Sequence, residues 1–376
     1  MKIIHLVSVF IILFFLEGCS GYRNNPLKHV LKTDKGIIHQ VMQNSQEFEV
    51  QIIYSKIKRN KKGVITFKDY HYHVDSNQYF YPASTVKFPI AILALEKLDS
   101  ISNTSVNSTF SIGDEATQWK FSEEVSKLFA VSDNEASNHL FEFIGFDDLN
   151  NGMRKKGLSP FRITHRLSTA NSGSRVIKPI TLYKDDGSVV KFPSIQTKAF
   201  VPLKLNGIQK GNGYLEGKQI VQKPFDFSAK NYYPLETLHN TLKRIVFPEA
   251  FEENERFKLS EKSRQFILFS MQNLPRNAGY DPKEYFDGYC KFFMFGDTKE
   301  SIPDYIKIYN KVGEAYGTLT DCAYIVDSKN NIEFLVSATI LVNKNKIFND
   351  GIYEYDSIGF PFLAEIGRQL YQKTKQ

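Results

Sequence analysis

The chain has 376 residues, 42% of them hydrophobic, with 31 Phe and 20 Tyr. That length is too great for a small domain stapled by cysteines and fits one large domain or two with an aromatic-rich core. Lys and Arg outnumber Asp and Glu by 48 to 41, a net charge of +7, and so mild an excess describes a solvated surface rather than a nucleic-acid-binding one.

At the N-terminus Lys2 precedes an apolar run from Ile3 to Leu16. The run is shorter than the ~20 residues a membrane span needs and fits the hydrophobic region of a signal peptide. Leu16-Glu17-Gly18-Cys19-Ser20 resembles a bacterial lipoprotein cleavage box. In that reading residues 1–19 are a lipoprotein-type signal segment cleaved just before Cys19, which becomes the lipidated first residue and holds the protein on a membrane. Ordinary secretion with cleavage nearby is the alternative. Both place the mature protein outside the cytoplasm, as a periplasmic or outer-membrane protein. Residues 20–34 then read as a tether and 35–376 as one domain, with a monomer expected. Cys290 and Cys322 remain. Export permits a disulfide between them; two free buried thiols are the other possibility. Neither has a metal-ligand spacing.

Phe48, Val50, Ile52 and Tyr54 alternate, which predicts a strand over 47–57. A turn at 58–63 leads to a second strand over 64–74. Its His71 and His73 share a face, but without a third ligand nearby they read as surface residues rather than metal ligands. Ser84 to Leu98 is apolar nearly all round, so it predicts a helix buried on every side, with Pro89 near the start, where it disturbs least. Further helices are expected at about 122–131, 134–144, 147–157, 236–246 and 260–273. Two alternating runs, Ala315–Val326 and Ile332–Val342, flank a turn at 327–331 and predict a hairpin. A last helix spans 358–371. Strands at both ends with helices between them imply a discontinuous α/β (α+β) fold. An antiparallel sheet is drawn from 35–75 and 305–376, with an all-helical lobe over about 76–304. Residues 168–234 read as an insertion. It has a hairpin tip at Lys184–Ser188 and a stretch rich in Pro, Gly, Phe and Tyr. It either caps a cleft or is a surface excursion.

Three short motifs carry the chemistry. Ser84-Thr85-Val86-Lys87 places a hydroxyl and an amine one helical turn apart on the same face. Serine is a weak nucleophile until a base takes its proton, and a lysine can do so if burial and a nearby cation lower its pKa. At a helix N-terminus, free N–H groups and the helix dipole favour the developing anion. Ser132-Asp133-Asn134 adds a hydroxyl and a carboxamide. Lys311-Val312-Gly313 puts a cation on a strand. Ser-x-x-Lys also occurs at Ser55–Lys58 and Ser188–Lys191, but only Ser84–Lys87 opens a buried helix.

In this order the motifs resemble the S-x-x-K, S-D-N and K-T-G set of class A β-lactamases and penicillin-binding proteins. The surroundings are also similar: Glu135-Ala136-Ser137-Asn138-His139-Leu140 after S-D-N, and Tyr316-Gly317-Thr318, Asp321 and Ala323 after K-V-G. The resemblance covers about residues 35–372 outside the insertion. It implies a serine hydrolase that needs no cofactor and no metal and acts on a β-lactam, a peptidoglycan-type peptide or another acyl compound. It assigns Ser84 as nucleophile, Lys87 as general base and Ser132 as proton relay to the leaving group. Asn134 would hold the substrate amide and Lys87, and Lys311, with Gly313 and Glu314 on its strand, would receive the substrate. The backbone N–H groups of Ser84 and Glu314 would form the oxyanion hole, and Asp133 would be structural. Two departures stand out. Val312 replaces the carboxylate-binding threonine, a loss of ~1.5–3 kcal/mol for a bond to a charged group; Thr318 is a candidate to compensate. The deacylating glutamate is missing. Thr164-His165-Arg166-Leu167 resembles the lead-in to its loop, yet no Asp or Glu occurs from Leu149 to Lys184, a stretch with eight Lys and Arg. His165 is the one base there, and it reads foremost as a loop-packing residue. Acylation would run and hydrolysis would be slow, which leaves a binding or sensor module as the alternative to an enzyme.

Overall fold

The computed structural model describes residues 25–375, so the expected signal segment and Cys19 lie outside the described residues. Two short helices, α1 (Pro26–Leu31) and α2 (Gly36–Met42), precede strands β1 (Gln51–Arg59) and β2 (Ile65–Tyr72). A 3-10 turn at Ala83–Val86 runs into helix α3 (Lys87–Asp99). Helices α4 (Phe121–Ala130), α5 (Asn134–Ile144), α6 (Phe146–Lys155), α7 (Leu235–Val246) and α8 (Glu261–Gln272) follow. The chain returns through β3 (Ile306–Ala315), β4 (Thr318–Asp327) and β5 (Ile332–Leu341) to helix α9 (Phe360–Lys375).

The five long strands form one antiparallel sheet in the order β3-β4-β5-β1-β2. The two ends of the chain meet at β1 and β5, with Gln51 opposite Thr339 and Ser55 opposite Leu335. Alternation sorts their side chains. Ile52, Tyr54, Phe334, Val336, Ala338 and Ile340 join the core beneath α1, α2 and α9. Ile53, Cys322 and Leu335 turn the other way, into the core shared with α7 and the lobe. Both faces are covered, so the register is fixed: a one-residue slip would exchange the two sets.

The lobe is organised around α3. Its Phe88, Ile90, Ala91, Ile92, Leu93, Ala94, Leu95 and Leu98 are each at most 3% exposed. Burying each large side chain contributes ~1.5–3 kcal/mol, so the segment that carries Lys87 is held from all sides.

The structure departs from expectation in two places. Residues 26–31 are not part of a tether. Asn25 caps α1 by accepting from the Lys28 N–H at 2.9 Å, and Leu27, Val30 and Leu31 are buried against the sheet. Three apolar residues spaced for one helical face are enough to dock so short a helix. The lobe is also not all-helical. Thr109–Ile112, Trp119–Lys120, Ile180–Tyr183 and Val189–Phe192 form a four-stranded sheet, with Tyr183 opposite Val189 across the expected hairpin tip. The strands at 109–112 and 119–120 are too short to leave a period-two signature in the sequence.

Candidate active site

Ser84 lies in the 3-10 turn ahead of α3, where the first amides have no acceptor within the helix. Ala83 has φ 46° and Ser132 has φ 57°. A left-handed non-glycine residue costs ~1–3 kcal/mol, and such strain tends to gather where a site needs it. The turn packs on the edge strand β3 so closely that glycine is required there. A Cβ on Gly313 would lie 2.7 Å from the Pro82 carbonyl oxygen and 3.1 Å from the Thr85 nitrogen. Asp133 caps α5, accepting from the Ala136 N–H at 2.8 Å, which fixes the turn that carries Ser132 and Asn134.

Both lysines converge on Ser132. Lys87 Nζ donates to the Ser132 carbonyl and lies 3.3 Å from its Oγ. Lys311 Nζ donates to the same Oγ at 2.8 Å and to the Val312 carbonyl at 2.9 Å. Lys87 is fully buried, and desolvation, reinforced by the Lys311 charge, pushes its pKa well below the usual lysine range. Burial lowers Lys311 to about 8. Behind them Asp321 accepts from the Phe292 and Phe293 N–H groups at 3.1 and 3.2 Å and from Asn310 at 2.9 Å; burial raises its pKa to about 6. Among the described residues the Ser84 hydroxyl has no hydrogen-bond partner, and Asn134 makes no bond to Lys87. The expected Asn134 contact with Lys87 is thus absent, and the Ser132 carbonyl takes its place.

Ser84 stands at the junction of two chambers. One, of about 460 Å³, is lined by Ser132, Tyr289, Val312 and Asp356. The other, of about 530 Å³, is lined by Asn134, His165, Ser168, Lys230 and Tyr316. Ser84 and Glu314 border both. Burial raises the Glu314 carboxyl pKa, and the charge of Asp356 adds to it. Thr318 borders neither chamber, so it does not stand in for the missing threonine hydroxyl. Cys290 and Cys322 are free and buried, which decides against a disulfide.

The loop that follows Thr164 is tied to α5. Asn138 donates to the Leu167 carbonyl at 2.8 Å and accepts from the Leu167 N–H at 3.1 Å. Glu142 pairs with the Arg166 Nε at 2.5 Å and accepts from the Lys178 N–H at 3.0 Å. His165 Nδ1 donates to the Arg166 carbonyl at 2.6 Å, and its Nε2 accepts from the Asn231 N–H at 3.4 Å. Burial lowers its pKa to about 4. With both ring nitrogens engaged, His165 is a packing residue and not a free base.

The insertion forms a wall of the site. Its Phe227 lies 5.9 Å from Tyr81 and its Phe225 lies 5.4 Å from Tyr316, ring to ring. Ser168, Thr169, Ser172 and Lys230 line the larger chamber. Tyr81 and Lys230 belong to no motif. Their one trace is the aromatic richness of the segment around them.

The fold is that of the serine β-lactamases. The TLA-1 extended-spectrum β-lactamase superposes with a TM-score of 0.53 at 15% identity, over 93% of this chain and 97% of that one. A class A β-lactamase from Bacteroides cellulosilyticus gives 0.53 at 13%, over 94% and 99%. A β-lactamase from Sphaerobacter thermophilus gives 0.52 at 12%, over 93% and 96%. At such identities these likenesses establish fold and nothing more. Residues 37–187, which include Ser84, Lys87, Ser132 and Asn134, match the sequence model of the β-lactamase enzyme family. That match covers less than half of the chain and stops short of Lys311, while the likeness of fold extends over nearly all of it. Comparison with curated proteins gives no match.

Proposed function

We propose that this chain is an exported serine hydrolase that forms an acyl-enzyme at Ser84, with a β-lactam or a peptidoglycan-type amide or ester as substrate. The observation that carries this reading is the convergence of Lys87 and Lys311 on Ser132 beside an unengaged Ser84 hydroxyl. Neutral Lys87 takes the Ser84 proton as Oγ bonds to the substrate carbonyl carbon. The oxyanion rests on the Ser84 and Glu314 N–H groups. The bond to the leaving nitrogen or oxygen then breaks, and Ser132 passes a proton from Lys87 to it. The chamber beside Ser132 takes the leaving half and the chamber beside Asn134 the acyl half.

A penicillin-binding or sensor module is the second reading. It is favoured by the 165–174 loop, which offers no carboxylate to activate water, and by Val312, which offers no hydroxyl to a substrate carboxylate. Intact-mass measurement of the protein with a penicillin separates the two. A lasting adduct, absent in Ser84→Ala, is expected of slow deacylation. A transient adduct with product release marks a hydrolase. Adduct formation that persists in Ser84→Ala would overturn both readings.

A further inference from the structure

We infer that the larger chamber carries an anion subsite built on Lys230, so that the substrate presents a negatively charged group on its acyl half. The inference rests on the acylation of Ser84 proposed above, which makes this chamber the acyl side.

Lys230 is half-buried at the chamber wall. Its ammonium lies over the rings of Phe225 and Tyr316, at 5.8 and 5.9 Å. Among the described residues no carboxylate comes within ion-pair reach of it. The other cation at this wall, Arg166, is committed to Glu142 and to the carbonyls of Ser174 and Val176. A partly desolvated cation without a counter-charge is unfavourable by itself and gains most from an anion that arrives already shielded from water.

The segment that holds Lys230 is fixed in advance. Arg162 donates to the carbonyls of Ser228 and Lys230 at 2.9 and 2.8 Å. The Lys230 N–H donates to the Phe227 carbonyl at 2.9 Å. The next residue, Asn231, is fully buried and accepts from the Thr164 N–H at 2.8 Å. These bonds clamp the insertion to the segment 162–165, so Lys230 is presented by a braced turn. Tyr81, Tyr316 and Tyr353 supply flat walls for the carbon skeleton between the anion and the reacting carbonyl. Lys311 serves the chamber beside Ser132, and Lys230 is the cation left without a counter-charge at the wall of the other, so a charge on the acyl half belongs near Lys230.

Two measurements on the purified protein test this. The first compares Ser84 acylation by p-nitrophenyl hemiglutarate, whose acyl end is anionic, with that by p-nitrophenyl pentanoate. The wild type should favour the anionic ester about tenfold, the scale of one bond to a charged group. Lys230→Met should abolish that preference and Lys230→Glu should reverse it. An unchanged ratio in Lys230→Met overturns the subsite. The second needs no acylation: saturation-transfer NMR of glutarate with Ser84→Ala and with Ser84→Ala/Lys230→Met. Glutarate contact in the first protein and its loss in the second supports the subsite; equal contact, or none, in both overturns it. If neither ester acylates Ser84 while glutarate contact still depends on Lys230, the acylation reading fails and the anion site stands.

Discussion

Lys87 and Lys311 have to be in opposite protonation states to do their separate work. The base must be neutral and the anion-receiving lysine must be charged. Burial depresses both, and the charge of Lys311 depresses Lys87 further. Acylation should therefore rise with pH as Lys87 loses its proton well below the ordinary lysine range. It should fall again through pH about 8 as Lys311 loses its charge. Adduct formation timed by mass spectrometry from pH 5 to pH 10.5 would show an optimum below the free-lysine range. A rate that climbs steadily up to the pKa of a free lysine would contradict the assignment of Lys87. The contrast with Ser55 is instructive. Its hydroxyl donates to Asp69 at 2.6 Å and lies 2.8 Å from His239 Nε2, a set with the composition of a nucleophile, base and acid. It is fully buried between β1 and α7, so no substrate reaches it and the Ser55–Lys58 motif carries no chemistry.

At the scale of elements, the site depends on how closely the Ser84 turn can approach β3. Gly313→Ala would push a methyl group into the Pro82 carbonyl and the Thr85 backbone. Neither is a flexible side-chain tip, so the turn itself must move. A displacement near 1 Å can cost roughly a hundredfold in rate, and that is the expected loss in adduct formation, with the helical circular dichroism signal retained. Acylation at the wild-type rate would mean that the oxyanion N–H groups do not come from this contact. Val312, its neighbour, turns the other way and joins the core beneath α9, so only position 313 is held to the absence of a side chain by this contact.

For the whole molecule, the sheet holds the two chain ends together and the lobe hangs between them. β1 is sandwiched between β5 and β2, so its pairing closes a loop of more than two hundred residues, and such non-local closure is slow. Once formed, β1, β4 and β5 share both cores. Hydrogen exchange should show their amides opening together as the most protected group. The mostly exposed segment 195–223 should exchange first. Exchange of β1 well before β4 and β5 would mean that the N-terminal strands are not an integral part of the sheet.

The long strands, the helices from α3 to α9 and the three motifs were legible in the sequence, because each repeats a local period or a short spacing that the backbone obeys wherever it is. Ser84, Lys87, Ser132 and Lys311 could be named in the same way. Other features were set only by tertiary packing. These are the docking of α1, the two-layer use of β1 and β5, the carbonyl of Ser132 as partner to Lys87, the free thiols and the place of Lys230 beside Tyr316. Each depends on which surfaces meet after the ends of the chain have paired. A contact between residues far apart in sequence leaves no period behind it, and so nothing along the chain announces it.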